Sequence, residues 1–238
     1  MKNPMATKRN FLIVSLIALT LGSIVVIGNV RFSGIQQNKD ANDSEAIAQA
    51  LKRGGLREAA KLKRHYVGDF DPHWDFSQLG IESLTKSSAA VIVGVATKKL
   101  GGRLTADGQL ILTDYEVAVQ ETIKGEVTSG GTITVSLVGG RVEFDDGTTA
   151  ELKTPSFEHM KTGGTYTLFL SESESTPGVY TLTAGPQGLV EIVNSKVKSH
   201  GRTTDPINQE SKDKDKSTFL KEVRQQAKNW PYPGKCCN

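Results

Sequence analysis

The residues best suited to chemistry gather in one stretch, residues 112–126, LTDYEVAVQETIKGE. Asp114 and Glu116 stand two apart, and Glu121 follows. In an extended strand, residues two apart share a face and lie roughly 6.6–7 Å apart along the backbone. Two carboxylates about 5–9 Å apart are what glycoside hydrolysis requires. Such a site also needs aromatic walls to hold a sugar, and aromatics make up only 6% of this chain. Asp145-Asp146-Gly147 is a turn sequence with too few oxygen ligands nearby for calcium. His65, His73, His159 and His200 form neither an HExxH motif nor a His–Cys cluster. There is no G-x-S-x-G elbow, and GGRLTADG lacks the Lys-Ser/Thr of a phosphate-binding loop. The expectation is a non-enzymatic protein without a cofactor or metal. Asp114, Glu116 and Glu121, with Trp74 and Trp230, are then candidates for an interaction surface.

The only cysteines, Cys236 and Cys237, are adjacent and close to the C-terminus. Neighbouring cysteines bridge each other only with strain, and two thiols make half a zinc site. They cannot staple the domain, so the fold must stand without disulfides. They read either as the end of an unstructured tail or as partners in an intermolecular disulfide.

These residues need elements to position them, and the pattern of the chain supplies mainly strands. In residues 111–122, Ile111, Thr113, Tyr115, Val117 and Val119 alternate with Asp114, Glu116, Ala118, Gln120 and Thr122. That is a half-buried strand, ended by Lys124-Gly125. AAVIVGVA is apolar on both faces and reads as a central strand. Asp107-Gly108 turns the chain between them. GTITVSLVGG, RVEFDDGTTAEL, TYTLFLSES, VYTLTA and LVEIVNSKV supply further strands and hairpins, and TPSFEHMKTGG a helical turn with Phe157 and Met160 inward. Short strands at 8–15-residue spacing indicate a small antiparallel barrel or sandwich. Ahead of them, residues 43–66 read as a helix broken at Gly54-Gly55. Behind them, STFLKEVRQQAKNW reads as an amphipathic helix capped by Ser217.

Charge is segregated along the chain. Residues 69–193 carry 8 basic and 17 acidic side chains, while residues 194–238 carry 10 basic and 5 acidic. The basic flanks either touch membrane headgroups or an envelope polyanion, fold back onto the acidic middle, or are simply solvated. An oligonucleotide groove needs basic walls with stacking aromatics, so the acidic middle argues against nucleic acid.

Residues 11–30, FLIVSLIALTLGSIVVIGNV, run 20 residues without a charge. That matches the roughly 20 residues a helix needs to cross a bilayer. Lys2, Lys8 and Arg9 precede it and should remain in the cytoplasm. An uncleaved signal anchor is expected, held in the inner membrane by Phe11, Leu12, Leu16, Leu19, Ile24 and Val30, with the rest of the chain periplasmic or extracellular. The expected organisation is therefore a cytoplasmic segment 1–10, an anchor 11–30, a linker and helical segment 31–76, a β-barrel 77–198, a disordered linker 199–216 and a helix with tail 217–238.

The segments AAVIVGVAT, LTDYEVAVQETIKGE, ITVSLVGG, TPSFEHMKTGGTYTLFL and GVYTLTAGPQGLVEI resemble a bacterial extracytoplasmic domain of unknown function. The strand VAVQETIKG is also similar to one in netrin-type and metalloprotease-inhibitor modules, which are OB-like barrels. The resemblance covers about half the chain and implies a small antiparallel OB-like barrel with short helices. The netrin-type cysteines are missing here. The resulting expectation is a membrane-anchored binding module for an unknown envelope protein or polymer. The alternatives are an inhibitor or accessory of an envelope protease, and a structural envelope component.

Overall fold

The computed structural model describes residues 41–70, 79–155, 157–173 and 176–231. In chain order they form α1 (Ala41–Lys63), β1 (His65–Asp69), α2 (Ile81–Ser87), β2 (Ala90–Leu104), β3 (Ile111–Lys124), β4 (Thr132–Val138), β5 (Gly140–Glu143), β6 (Thr149–Lys153), β7 (Thr165–Glu172), β8 (Val179–Leu182), β9 (Leu189–Val193), β10 (Lys196–Ser199), α3 (Pro206–Ser211) and α4 (Lys216–Asn229). The apolar segment 11–30 with its six anchor residues, Trp74, Cys236 and Cys237 lie outside the described residues. Among the described residues no helix is long and apolar enough to cross a membrane.

The mainly β class is as expected. One sheet runs β10-β9-β7-β2-β3-β4-β8 and a second runs β1-β6-β5. Strand β8 pairs in parallel with β4 and also antiparallel with β7, through Leu170–Leu182, Ser171–Thr181 and Glu172–Tyr180.

Apolar patterning explains the layers. The inward residues of β3, Tyr115, Val117 and Val119, meet Ile92, Val135, Leu168 and Leu189 in one core. Strand β2 is buried on both faces, as AAVIV implies. Ala90, Ile92 and Ala96 enter that core, while Val91 and Val93 enter a second one with Leu84, Phe169, Ile207, Phe219 and Val223. A third core joins Leu51, Leu56, Ala59 and Ala60 of α1 to Ile111, Phe144, Ala150 and Leu152. The helices therefore supply core to the sheets.

Several expectations need correction. Residues 199–216, expected to be disordered, contain α3 and an isolated bridge between Lys196 and Asp215. Ile207 anchors this segment by complete burial, which a reading of its charges alone misses. The cap of α4 is Asp215, whose carboxylate accepts from Thr218 N at 2.9 Å, and Ser217 lies within the first turn. The stretch around Phe157 and Met160 forms no helix, although both side chains are buried. Strand β1, at the end of α1, was not anticipated; it pairs in parallel with β6.

Candidate functional site

The outward face of β3 and β4 brings together the residues that the sequence marked and some that it did not. Pairing sets Asp114 opposite Ser136 and Glu116 opposite Thr134. Side chains directly opposite in a sheet share a face. Asp114 is ion-paired with Arg103 of β2, Nε to Oδ2 2.8 Å. Ser136 Oγ donates to the other Asp114 oxygen and accepts from the Arg103 guanidinium at 3.2 Å. Glu116 accepts from Thr97 Oγ1 at 2.7 Å. Both carboxylates are thus held by neighbours on adjacent strands. Arg103, Ser136 and Thr97 were not singled out from the sequence; the β2–β3 hairpin around Asp107-Gly108 brings Arg103 and Thr97 to this face, and the β3–β4 pairing brings Ser136.

Glu121 lies five residues beyond Glu116 on β3, roughly 16 Å along the strand, and does not join it and Asp114. Strand β2 meets β3 with Gly94 opposite Val119 and Val93 opposite Glu121, so Gln120 is an extra residue in a bulge. A bulge of this kind reverses which face the following side chain takes. Glu121 is thereby turned toward α4, where Arg224 grips it with two hydrogen bonds of 2.8 Å. The Arg224 hydrogen bonds are the main cause holding the Glu121 carboxyl below its ordinary pKa. The acidic middle does meet the basic C-terminal segment at this point. Both side chains are substantially exposed, so Arg224→Ala should cost only about 0.5–1 kcal/mol of stability. Urea unfolding at low and at high salt checks this, and the loss should shrink as salt rises.

Lys124 is more than the end of a strand. Its ammonium is buried and donates to the carbonyls of Thr85 at 2.7 Å and Lys86 at 3.0 Å, at the C-terminal end of α2. A cation at that end satisfies free carbonyls and favours the helix dipole. Burial pulls its pKa down. Gly125 follows with φ +93°, and a Cβ there would stand 2.6 Å from the Ala89 carbonyl oxygen. The Lys-Gly pair is therefore architectural.

His159 is half-buried and His200 is buried. His159 Nε2 donates to Val138 O at 2.8 Å, which leaves Nδ1 to accept from the Tyr115 hydroxyl at 3.4 Å. Burial is the main cause lowering its pKa, and it also raises that of Tyr115 to about 12. His200 is likewise lowered, chiefly by burial, with Glu191 at 3.4 Å opposing the shift. Depressed histidines bind fewer protons in the folded than in the unfolded chain. Stability is therefore full above the unfolded pKa of about 6.5 and is lost as pH falls below it. Melting temperature should drop between pH 7.5 and 5.5, before carboxylates titrate, and His200→Phe should flatten that slope.

Trp230 is 37% exposed and lies under the Lys86 ammonium, 4.1 Å from its ring centroid. Among the described residues no group of three or more His, Cys, Asp or Glu could hold a metal ion. No protein-family model matches this chain, and no curated protein matches it.

Proposed function

We propose that this chain is an OB-like barrel module held at the bacterial inner membrane by residues 11–30, with its folded part outside the cytoplasm. There it acts as a non-enzymatic binding module for an envelope protein or polymer. The barrel reading is supported by the strand pairings, which run β7-β2-β3-β4-β8 and return to β7. It is also supported by the long first hairpin, β2–β3, at the place an OB barrel has one. In OB barrels the face of the second and third strands is a common ligand surface. Here that face is β3–β4, and the observation that carries the proposal is its organised polarity. Asp114, Ser136 and Arg103 form one cross-strand network, and Glu116 with Thr97 forms a second contact beside it. Such a surface is ready to exchange hydrogen bonds with a polar ligand without reordering its side chains.

Photo-crosslinking from the full chain in its native cells tests the reading. A crosslinker at Thr134, on this face, should give a discrete envelope adduct, and one at Lys153, on the solvent side of β6, should not. Absence of an adduct at Thr134, or equal labelling from both positions, would sink the proposal. The full chain is required because α1 and α4 each complete a core.

A further inference from the structure

Strand β1 is an edge strand with an open side. It pairs with β6 alone, in parallel and without a register shift. Thr149 N donates to Arg64 O at 2.9 Å and Phe70 N to Lys153 O at 2.7 Å, so these two bonds bracket the ladder. Along a parallel ladder only alternate residues of a strand bond to the neighbour. Arg64, Tyr66, Gly68 and Phe70 therefore turn their backbone groups to β6, and His65, Val67 and Asp69 turn theirs outward. Among the described residues no strand takes up these outward groups. The other edges are closed. Strand β8 is paired on both sides, and β10 is bridged at Lys196–Asp215. Strand β5 backs onto β2, where a Cβ on Gly102 would collide with Arg141 O.

An open edge is a template for another strand, and natural edges are usually blocked by proline, lysine or a bulge. The segment HYVGD of β1 has none of these. His65, Val67 and Asp69 lie on the solvent face of the sheet, while Tyr66 packs into the third core. Val67 is 41% exposed. These three residues complement themselves when reversed. Antiparallel pairing centred on Val67 sets His65 opposite the partner's Asp69, Val67 opposite the partner's Val67, and Asp69 opposite the partner's His65. The residues with outward backbone groups are then the ones that meet. Each such pair exchanges two hydrogen bonds, about six across the join. His65 Nδ1 is held by Thr149 Oγ1, which leaves Nε2 for the carboxylate. Lys153 stands beside Asp69 in the ladder. One row across the joined sheets reads Lys153, Asp69, the partner's His65 and the partner's Thr149, with no like charges facing. Sliding one copy by two residues would set Val67 against His65 or Asp69 and break the charge pairs.

We propose that β1 is a self-association edge: two copies of this chain join β1 to β1, antiparallel, about a two-fold axis through Val67. The two three-stranded sheets then form one continuous sheet. A two-fold contact uses the same patch on both copies and closes on itself, so association stops at a dimer. Strand β1 belongs to a different sheet from β3 and β4, so this pairing and the surface proposed above stand or fall separately.

The test uses the full chain in detergent with Cys236→Ser and Cys237→Ser, so that an added cysteine is the only one. Val67→Cys should give a disulfide-linked dimer on mild oxidation. Hydrogen-bonded antiparallel partners have Cα atoms about 5.5 Å apart, which a disulfide spans. Leu100→Cys, on β2 and comparably exposed at 47%, should not link. The cysteine-free parent should sediment as a dimer. His65→Asp sets like charges opposite each other twice and should weaken the dimer about tenfold. Adding Asp69→His merely exchanges the pair and should restore it. A monomeric parent, no disulfide at Val67, or equal linking at Leu100 overturns the proposal. Failure of the exchange to restore the dimer does so too. Association through residues 11–30 alone would leave Val67→Cys unlinked and the dimer indifferent to His65→Asp, and that result also overturns it.

Discussion

Replacing Phe219 with alanine is expected to lower the free energy of unfolding by about 3–5 kcal/mol. Phe219 is fully buried on α4, in the core that also holds Leu84 of α2, Val91 and Val93 of β2, Phe169 of β7 and Ile207 of α3. Truncation to alanine removes most of an aromatic ring and leaves a cavity bounded by five separate elements. These elements cannot all close on it, because Val91 and Val93 are fixed by pairing with β3 and β7. Urea unfolding followed by circular dichroism measures the loss. A helix that merely trailed from the sheets would lose about 1 kcal/mol or less from the same change, and a value that small would refute the integral role of α4. Lys221→Ala, two residues further on and on the exposed side of α4, is the matched control and should fall within about 0.5 kcal/mol of the parent.

Much of this fold could be read from periodicity alone. The alternation around Tyr115 and Val117 places those residues in the core, and the doubly apolar AAVIV segment is buried on both faces. The break at Gly54-Gly55 falls where the two glycines stand. What escaped are features set by partners distant in sequence. Glu121 shares the inward parity of Val119 and changes face only because Gln120 bulges against β2. Residues 199–216 are charged and aperiodic, yet one buried isoleucine and a proline-started helix order them against α2. Lys124 looks like a turn residue until α2 is set beside it. The candidate site divides in the same way. Asp114 and Glu116 are visible as a pair, but Arg103, Ser136 and Thr97 belong to the site only through the pairing of β3 with β2 and β4.

Gly55→Ala and Gly54→Ala should separate sharply, although both place alanine in a helical segment where it is the better helix former. Gly55 has φ +68° and ψ −153°, a region open essentially to glycine alone. Its missing Cβ would collide with the carbonyl group of Gly108, the same carbonyl that accepts from Leu56 N at 2.9 Å. Alanine there must take a strained backbone or push α1 away from the β2–β3 hairpin. The second course breaks the Leu56 hydrogen bond and the neighbouring one from Gln109 Nε2 to Leu51 O, 3.0 Å. The strain alone is worth about 1–3 kcal/mol, and opening the Leu51–Leu56 contacts adds to it, so a loss of about 3 kcal/mol or more is expected. Gly54 has φ −158°, and a Cβ there meets only the flexible Glu58 side chain, 2.6 Å from its Cγ. A rotamer change relieves that contact, so Gly54→Ala should cost less than about 1 kcal/mol. Thermal unfolding of the two variants side by side decides the matter. Equal losses would mean that the junction between α1 and the hairpin is not held by the Gly55–Gly108 approach.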